Sequence, residues 1–155
     1  MKTAGVYTVF EIYNEAARQV IFFARYETSE FGGAEIETEH FLLGLIRHDQ
    51  GQLERLAGTP IDAEAIRQQI RDCMPVGEKI PANVDMPLSM ESRLALLSTG
   101  EEAKRLNHQH IGPEHLLLGL LLRHDCVAAE ILRGLGLSVE KVREDLAKQS
   151  GGTSA

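Results

Sequence analysis

One nine-residue phrase occurs twice in this chain, and it limits the folds that the chain can adopt. Residues 38–46 read TEHFLLGLI and residues 113–121 read PEHLLLGLL, so six of nine columns agree at a separation of 75. Matching residues continue on both sides, as in the pairs Glu27 and Glu102 and, after a one-residue insertion, Gly58 and Gly134. A repeated unit of 75 residues is longer than the unit of a solenoid protein. The pattern therefore predicts a closed pair of units with pseudo-twofold symmetry.

Each copy has the pattern of a helical unit. Apolar residues recur at three- and four-residue spacing, as one buried helix face requires. Natural N-caps precede the expected helices, namely Asn14, Thr38 and Asp62 in the first copy and Ser89 and Ser138 in the second. Residues 41–46 are apolar nearly all round, which indicates a helix in the middle of the domain. We therefore predict an all-α fold of eight helices, arranged as two tandem four-helix repeats.

The boundaries of the repeats follow from the same pattern. We expect an N-terminal extension over residues 1–12, a first repeat over 13–72 and a second repeat over 88–149. The segment 73–87 contains three prolines and one glycine, which indicates a linker. Its apolar residues Val76, Ile80, Val84 and Met86 either cover the groove between the repeats or leave it open. Residues 150–155 are rich in glycine and serine, which predicts a flexible tail.

Composition excludes several classes of partner. The net charge is −7, whereas a protein that binds the phosphate backbone of nucleic acid needs a concentrated basic face. The longest apolar run is far too short to span a bilayer. The chain has two cysteines, Cys73 and Cys126, which suit a reduced protein better than a disulfide framework. We therefore predict a cytoplasmic protein that binds neither nucleic acid nor membrane.

The repeated EHxLLGL phrase, together with the turn Gly134-Leu135-Gly136-Leu137-Ser138, resembles the amino-terminal domain of the Clp unfoldases of the ClpC and ClpA type. The resemblance covers about residues 10 to 149. It implies a domain of two Clp repeats that binds adaptor proteins or protein substrates for an AAA+ unfoldase and needs no cofactor. A G-x-x-x-x-G-K-[ST] phosphate loop is absent from the sequence, so we predict no enzyme activity of that kind. A stand-alone protein and one module of a longer polypeptide both fit.

The resemblance also implies a candidate ligand, because some family members bind phosphorylated arginine where the second helix of each repeat begins. A helix N-terminus offers free N–H groups to a phosphate, and a nearby carboxylate can hold the guanidinium. The corresponding residues here are Thr38 and Glu39 in the first repeat and Gly112 and Glu114 in the second. Glu37 adds a negative charge beside the first site, and Pro113 removes a hydroxyl and an N–H from the second.

Those departures favour the second site over the first. Helix capping is the alternative role of both carboxylates, since acidic residues in a first helical turn complement the helix dipole. A packed, hydrogen-bonded histidine is likewise favoured over a catalytic one at His40 and His115.

A rival hypothesis starts from three histidines close in sequence, His108, His110 and His115. Imidazole with a carboxylate is a plausible zinc or nickel ligand set, and a bound metal can activate water for hydrolysis. The first repeat has Gly33 and Glu35 where the second has His108 and His110, so this cluster is not part of the duplicated pattern. A metal-dependent enzyme and a ligand-free homo-oligomer therefore remain as alternatives to a recognition module.

Overall fold

A computed structural model describes residues 12–81 and 85–153 of the chain, and this part is all-helical. Its helices are α1 (Glu15–Phe31), α2 (Thr38–Ala57), α3 (Ala63–Cys73), α4 (Met90–Arg105), α5 (Pro113–Leu121), α6 (Val127–Gly134) and α7 (Val139–Thr153). The predicted N-terminal extension lies outside the described residues except for Ile12. Within the described ranges, no helix is long and apolar enough to cross a membrane.

The described part of the chain contains seven helices, so the prediction of eight is not confirmed. The expected second and third helices of the first repeat join in α2, where Asp49 has non-helical backbone angles (φ −159°, ψ 84°) and produces a kink. In the second repeat the corresponding helices, α5 and α6, are separate. The one-residue insertion lies in the region where a short loop, residues 122–126, connects them.

Most of the predicted helix caps are observed. The Asn14 carboxamide oxygen accepts from the backbone N–H of Ala17 at 2.9 Å, and the Ser89 hydroxyl accepts from that of Ser92 at 3.1 Å. The prediction that Thr38 caps α2 was wrong. Thr38 is the first helical residue, and its hydroxyl donates to the adjacent Glu39 carboxylate at 2.7 Å instead of accepting from the backbone.

The two repeats are joined by a reciprocal exchange of backbone hydrogen bonds. Tyr13 forms an isolated parallel bridge with Ile111, and Ile36 forms the equivalent bridge with Leu88. The N–H of Asn14 donates to the carbonyl of Ile111 at 2.8 Å, and that of Ser89 donates to the carbonyl of Ile36 at 3.1 Å. Each repeat's first helix therefore begins beside the start of the other repeat's second helix.

The core is continuous across both repeats, with the leucine-rich helices at its centre. Leu42 in α2 and Leu118 in α5 are fully buried. The glycine of the repeated phrase lies where these helices meet the first helix of their repeat. A Cβ atom on Gly44 would lie 2.6 Å from the Val20 carbonyl oxygen, and one on Gly119 would lie 2.5 Å from that of Ala95. The phrase therefore contains glycine because the two backbones touch there.

A buried carboxylate links the first and last helices of each repeat. In the first repeat, both terminal nitrogens of Arg67 in α3 donate hydrogen bonds to the carboxylate of Glu27 in α1, at 2.5 and 2.6 Å. In the second, Arg143 of α7 donates to Glu102 of α4 at 3.1 and 2.8 Å. The pKa of Glu102 is lowered: burial acts to raise it, but the hydrogen bonds from Arg143 and Arg105 outweigh that effect.

The linker begins as an extended segment packed on the end of α1. The N–H of Gly77 donates to the Phe31 carbonyl at 2.9 Å, and that of Ile80 donates to the Ser29 carbonyl at 3.0 Å. Of the linker's apolar residues, Val76 is 53% exposed, Met86 packs against the core, and Val84 lies outside the described residues.

The last helix is longer than its composition suggested. Helix α7 runs to Thr153, and so continues into the segment 150–155 for which the sequence predicts a flexible tail. Glycine has a low helix propensity, but extending an existing helix by one turn costs far less than starting a new one.

Candidate functional site

A cleft of about 320 Å³ opens where α5 begins. Its walls come from both repeats: Asn14 lies at the start of α1, and Gly112, Glu114 and His115 belong to the start of α5. Gln149 of α7 closes one side. The cleft therefore contains the two site residues that the sequence predicted for the second repeat, Gly112 and Glu114.

Two helix N-termini meet at this cleft. Asn14 is the N-cap of α1 and Gly112 is the N-cap of α5. The Asn14 amide nitrogen lies only 3.1 Å from the point where a Cβ atom on Gly112 would stand, so a larger residue there would displace Asn14. The first turns of both helices carry the partial positive charge of the helix dipole. A helix N-terminus favours an anion, and two of them lie at this cleft.

The carboxylate of Glu114 lines the cleft, and a neutral side chain holds it. The Gln149 amide donates to Glu114 Oε2 at 2.7 Å and to Asp145 Oδ2 at 3.0 Å. Asp145 in turn accepts from Arg55 of α2 at 2.9 Å. A guanidinium group entering the cleft could replace the Gln149 amide at Glu114 and would form a stronger, charge-assisted contact.

The repeated histidine has a structural role at both helix starts. The Nδ1 atom of His40 accepts from the N–H of Glu37 at 2.9 Å, and Nδ1 of His115 accepts from the N–H of Gly112 at 2.9 Å. Both rings are buried, and burial lowers the pKa of each to about 4; at His115 the charge of His108 lowers it further. Each histidine is thus neutral and satisfies an N-cap donor, as the glutamate of a capping box does.

This role also sets the position of the ring protons in the second repeat. Because His115 Nδ1 accepts a hydrogen bond, the proton of the neutral ring is on Nε2. That atom lies 2.8 Å from Nδ1 of His108, which therefore accepts from it. His110 is exposed.

The metal hypothesis finds no support in this geometry. Two of its three histidines, His108 and His115, are hydrogen-bonded to each other. In residues 12–81 and 85–153, no group of three or more histidine, cysteine, aspartate or glutamate side chains is placed to hold a metal ion.

The start of α2 differs from the start of α5. Thr38 is 1% exposed and Glu39 is 9% exposed, and the two side chains hydrogen-bond to each other. Glu37 occupies the N-cap of α2. Burial raises the pKa of its carboxyl, and the charge of Glu39 raises it further. A hydrogen bond with Ser89 lowers the pKa but does not outweigh these effects. The first predicted site is therefore buried and acidic, and it offers a ligand less room than the second.

Sequence reasoning missed two contributors to the cleft. Asn14 was recognised only as a cap of its own helix, and Gln149 carried no signal. Their position depends on the exchange between the repeats and on the packing of α7, and a one-dimensional pattern contains neither. The capping role of the histidines was detectable, because a polar side chain three residues after the N-cap is a known capping position.

Residues 87–153 match the family model of the Clp repeat (R) N-terminal domain. Two solved structures have the same fold. The N-terminal domain of ClpD from Arabidopsis thaliana superposes with a TM-score of 0.72 at 24% identity, covering 92% of this chain and 96% of that one. The N-terminal domain of the ClpV1 ATPase from Escherichia coli gives 0.70 at 20% identity, covering 94% and 91%.

The resemblance to Clp amino-terminal domains is confirmed. Among curated proteins, a probable ATP-dependent Clp protease ATP-binding subunit of Chlamydia pneumoniae is 34% identical to this chain over 142 residues, or 91% of the chain. The negative regulator of genetic competence ClpC/MecB of Bacillus subtilis is 30% identical over 144 residues, or 92%. The chain spans only 17% and 18% of the length of these two relatives.

Proposed function

We propose that this chain is a non-catalytic recognition module of the Clp chaperone and protease system. In this role it binds adaptor proteins or protein substrates and presents them to an AAA+ unfoldase. The observation that carries the proposal is the cleft at the start of α5, which combines two helix N-termini with a carboxylate in a Clp-type fold. The repeat boundaries given above and a cytoplasmic location are part of the same proposal.

The ligand that fits this cleft best is the side chain of phosphorylated arginine. The two helix ends suit its phosphate, and Glu114 suits its guanidinium. Two observations favour the second repeat over the first as the site. Glu114 lines an open cleft, whereas Glu39 is buried against Thr38. The N-cap of α5 is a glycine without charge, whereas that of α2 is Glu37.

The test is a titration of isotopically labelled protein with phosphoarginine, following the backbone amides of residues 36–42 and 111–117 by NMR. We expect saturable shifts at 111–117. Glu114→Gln keeps the shape of the side chain and removes its charge, so it should weaken binding about tenfold or more. Glu39→Gln serves as the matched control and should leave the titration unchanged.

Arginine and inorganic phosphate are titrated separately, because the cleft should require both groups on one molecule. Phosphate alone producing the same shifts at the same concentrations would reduce the site to a simple anion site. If phosphoarginine produces no shifts at either helix start, the phosphoarginine proposal fails and the repeated EH phrase is purely architectural.

A further inference from the structure

A second surface of the molecule is both apolar and positively charged. Two clefts of about 210 Å³ each adjoin along α1, sharing Tyr26 and Glu30 in their walls. The walls come from the side of α1 between Phe22 and Phe31, from Arg47, from Arg67 and Arg71 of α3, and from linker residues 76–80. We call this the α1–linker surface. It shares no lining residue with the cleft at the start of α5.

The apolar part of this surface is concentrated. Among the described residues, six large hydrophobic side chains are exposed, and three of them lie here: Phe22 at 67%, Val76 at 53% and Tyr26 at 40%. The buried hydroxyl of Ser29, in a residue 3% exposed, also lines the cleft beside Phe22 and has no hydrogen-bond partner within the described part of the chain. Clustered apolar side chains with a spare polar group indicate an interaction site.

The charge of the surface opposes that of the whole chain. Five cationic side chains and two carboxylates line it, a net charge of +3 in a protein whose net charge is −7. The Glu27 carboxylate is already paired with Arg67 and Arg47, and Glu30 is paired with Lys79 at 2.8 Å. Within the described part of the chain, the carboxylate that Arg71 pairs with is Glu64, at 3.5 Å, and both side chains are well exposed. An anionic partner would therefore be electrostatically complementary to this face.

The second repeat forms the corresponding helices with other residues at these positions. Where the first repeat has Arg25, Tyr26 and Arg71, the aligned positions of the second are Gly100, Glu101 and Ala147. In contrast, the buried pair Glu27 and Arg67 recurs as Glu102 and Arg143. The repeats thus share the residues that hold the helices together and differ in those that form the α1–linker surface.

We propose that the α1–linker surface binds an acidic peptide segment that carries an apolar or aromatic side chain. The side chain packs between Phe22, Tyr26 and Ile80 in the more apolar cleft, and the acidic residues face Arg71 and Lys79. The inference rests on the proposed recognition function and adds to it a second binding surface with a partner of defined chemistry.

The experiment is a selection from a display library of random dodecapeptides on the intact chain, followed by fluorescence anisotropy with the enriched sequences. We expect the enriched peptides to be negatively charged and to contain Phe, Leu, Ile or Met. The double variant combines Tyr26→Glu with Arg71→Ala, which are the residues found at the aligned positions of the second repeat. It should weaken binding of those peptides by about tenfold or more, and salt should weaken binding to the unaltered chain.

The matched control is Leu97→Ser. Leu97 is 63% exposed and is the second repeat's counterpart of Phe22, but it lies outside the α1–linker surface. This variant should bind the peptides as the unaltered chain does. Circular dichroism must show the same helix content in all three proteins, so that a loss of binding is not a loss of fold.

Three results would overturn the proposal. The enriched peptides could be neutral or basic, or the double variant could bind them as the unaltered chain does. The third result is an oligothymidine probe that displaces the peptides from the unaltered chain and does not bind the double variant. The last would identify a nucleic-acid surface instead. Failure of the phosphoarginine proposal is distinguishable, because it concerns amide shifts at residues 111–117 and leaves peptide binding to the α1–linker surface unaffected.

Discussion

At the scale of single residues, the repeated phrase combines three separate physical requirements. Its leucines fill the core, its histidine accepts the N-cap N–H, and its glycine allows two helices to touch. Each requirement acts at both copies, which accounts for the retention of the same letters at a distance of 75 residues. Each can also be tested by a single substitution.

The glycine requirement predicts the effect of one added methyl group. Gly44→Ala or Gly119→Ala forces a Cβ atom against a backbone carbonyl, and should lower the free energy of unfolding by about 1–3 kcal/mol. Gly100→Ala is the control, since a Cβ atom there meets nothing within 4 Å and alanine favours the helix. Urea unfolding followed by circular dichroism measures all three. Equal stabilities for Gly100→Ala and Gly119→Ala would contradict the proposed close contact.

The histidine requirement predicts a pH dependence of stability. The pKa of His40 and of His115 is about 4 in the folded chain, against about 6.5 for an exposed histidine. The unfolded chain therefore binds more protons between these values, and the free energy of unfolding should fall as the pH drops from about 6.5 toward 4. The loss is at most about 3 kcal/mol for each histidine.

Glutamine variants separate titration from capping. His40→Gln and His115→Gln retain an acceptor for the N-cap N–H but cannot be protonated. The double variant should show a flatter dependence of unfolding free energy on pH over the same window, as measured by urea titrations at several pH values. An unchanged slope would mean that the two rings are protonated as readily in the folded chain as in the unfolded one.

At the scale of helices, the buried Glu–Arg pairs connect elements that are distant in sequence. The Glu27 side chain is fully buried, so removing its main partner leaves a charge without adequate compensation. We expect Arg67→Ala to lower the free energy of unfolding by about 3 kcal/mol. Arg71→Ala on the same helix is the control, because its pair with Glu64 is exposed and contributes about 1 kcal/mol or less. Similar losses in both variants, measured by thermal or urea unfolding, would show that burial does not matter here.

At the scale of the whole molecule, the exchange between the repeats predicts a single folding unit. One continuous core and two reciprocal backbone bridges connect the repeats, so neither can unfold without exposing part of the other. We expect one cooperative transition in urea, with coincident curves from circular dichroism and from tyrosine fluorescence. Two separated transitions would indicate that the repeats fold independently. Peptides covering residues 12–74 and 85–153 should each be largely unfolded when separate.

The sequence was sufficient to predict the helical class and most helix starts because these depend on local properties. Caps such as Asn14, Ser89 and Asp62 act within three residues, and apolar periodicity is visible without a partner. Local reasoning failed where the sequence pattern allows two arrangements. At Thr38 the hydroxyl bonds its neighbour instead of the backbone, and at Asp49 one irregular residue decides between one kinked helix and two.

The duplication, the all-helical class and the resemblance to Clp domains were determined by the sequence alone, since repeated letters and hydrophobic periods are one-dimensional properties. Only the tertiary structure decided that Asn14 of one repeat completes the cleft of the other, that Gln149 holds Glu114, and that Tyr26 and Arg71 share a surface. The physical reason is that such groupings depend on how helices from distant segments pack, and packing is set by the whole core at once.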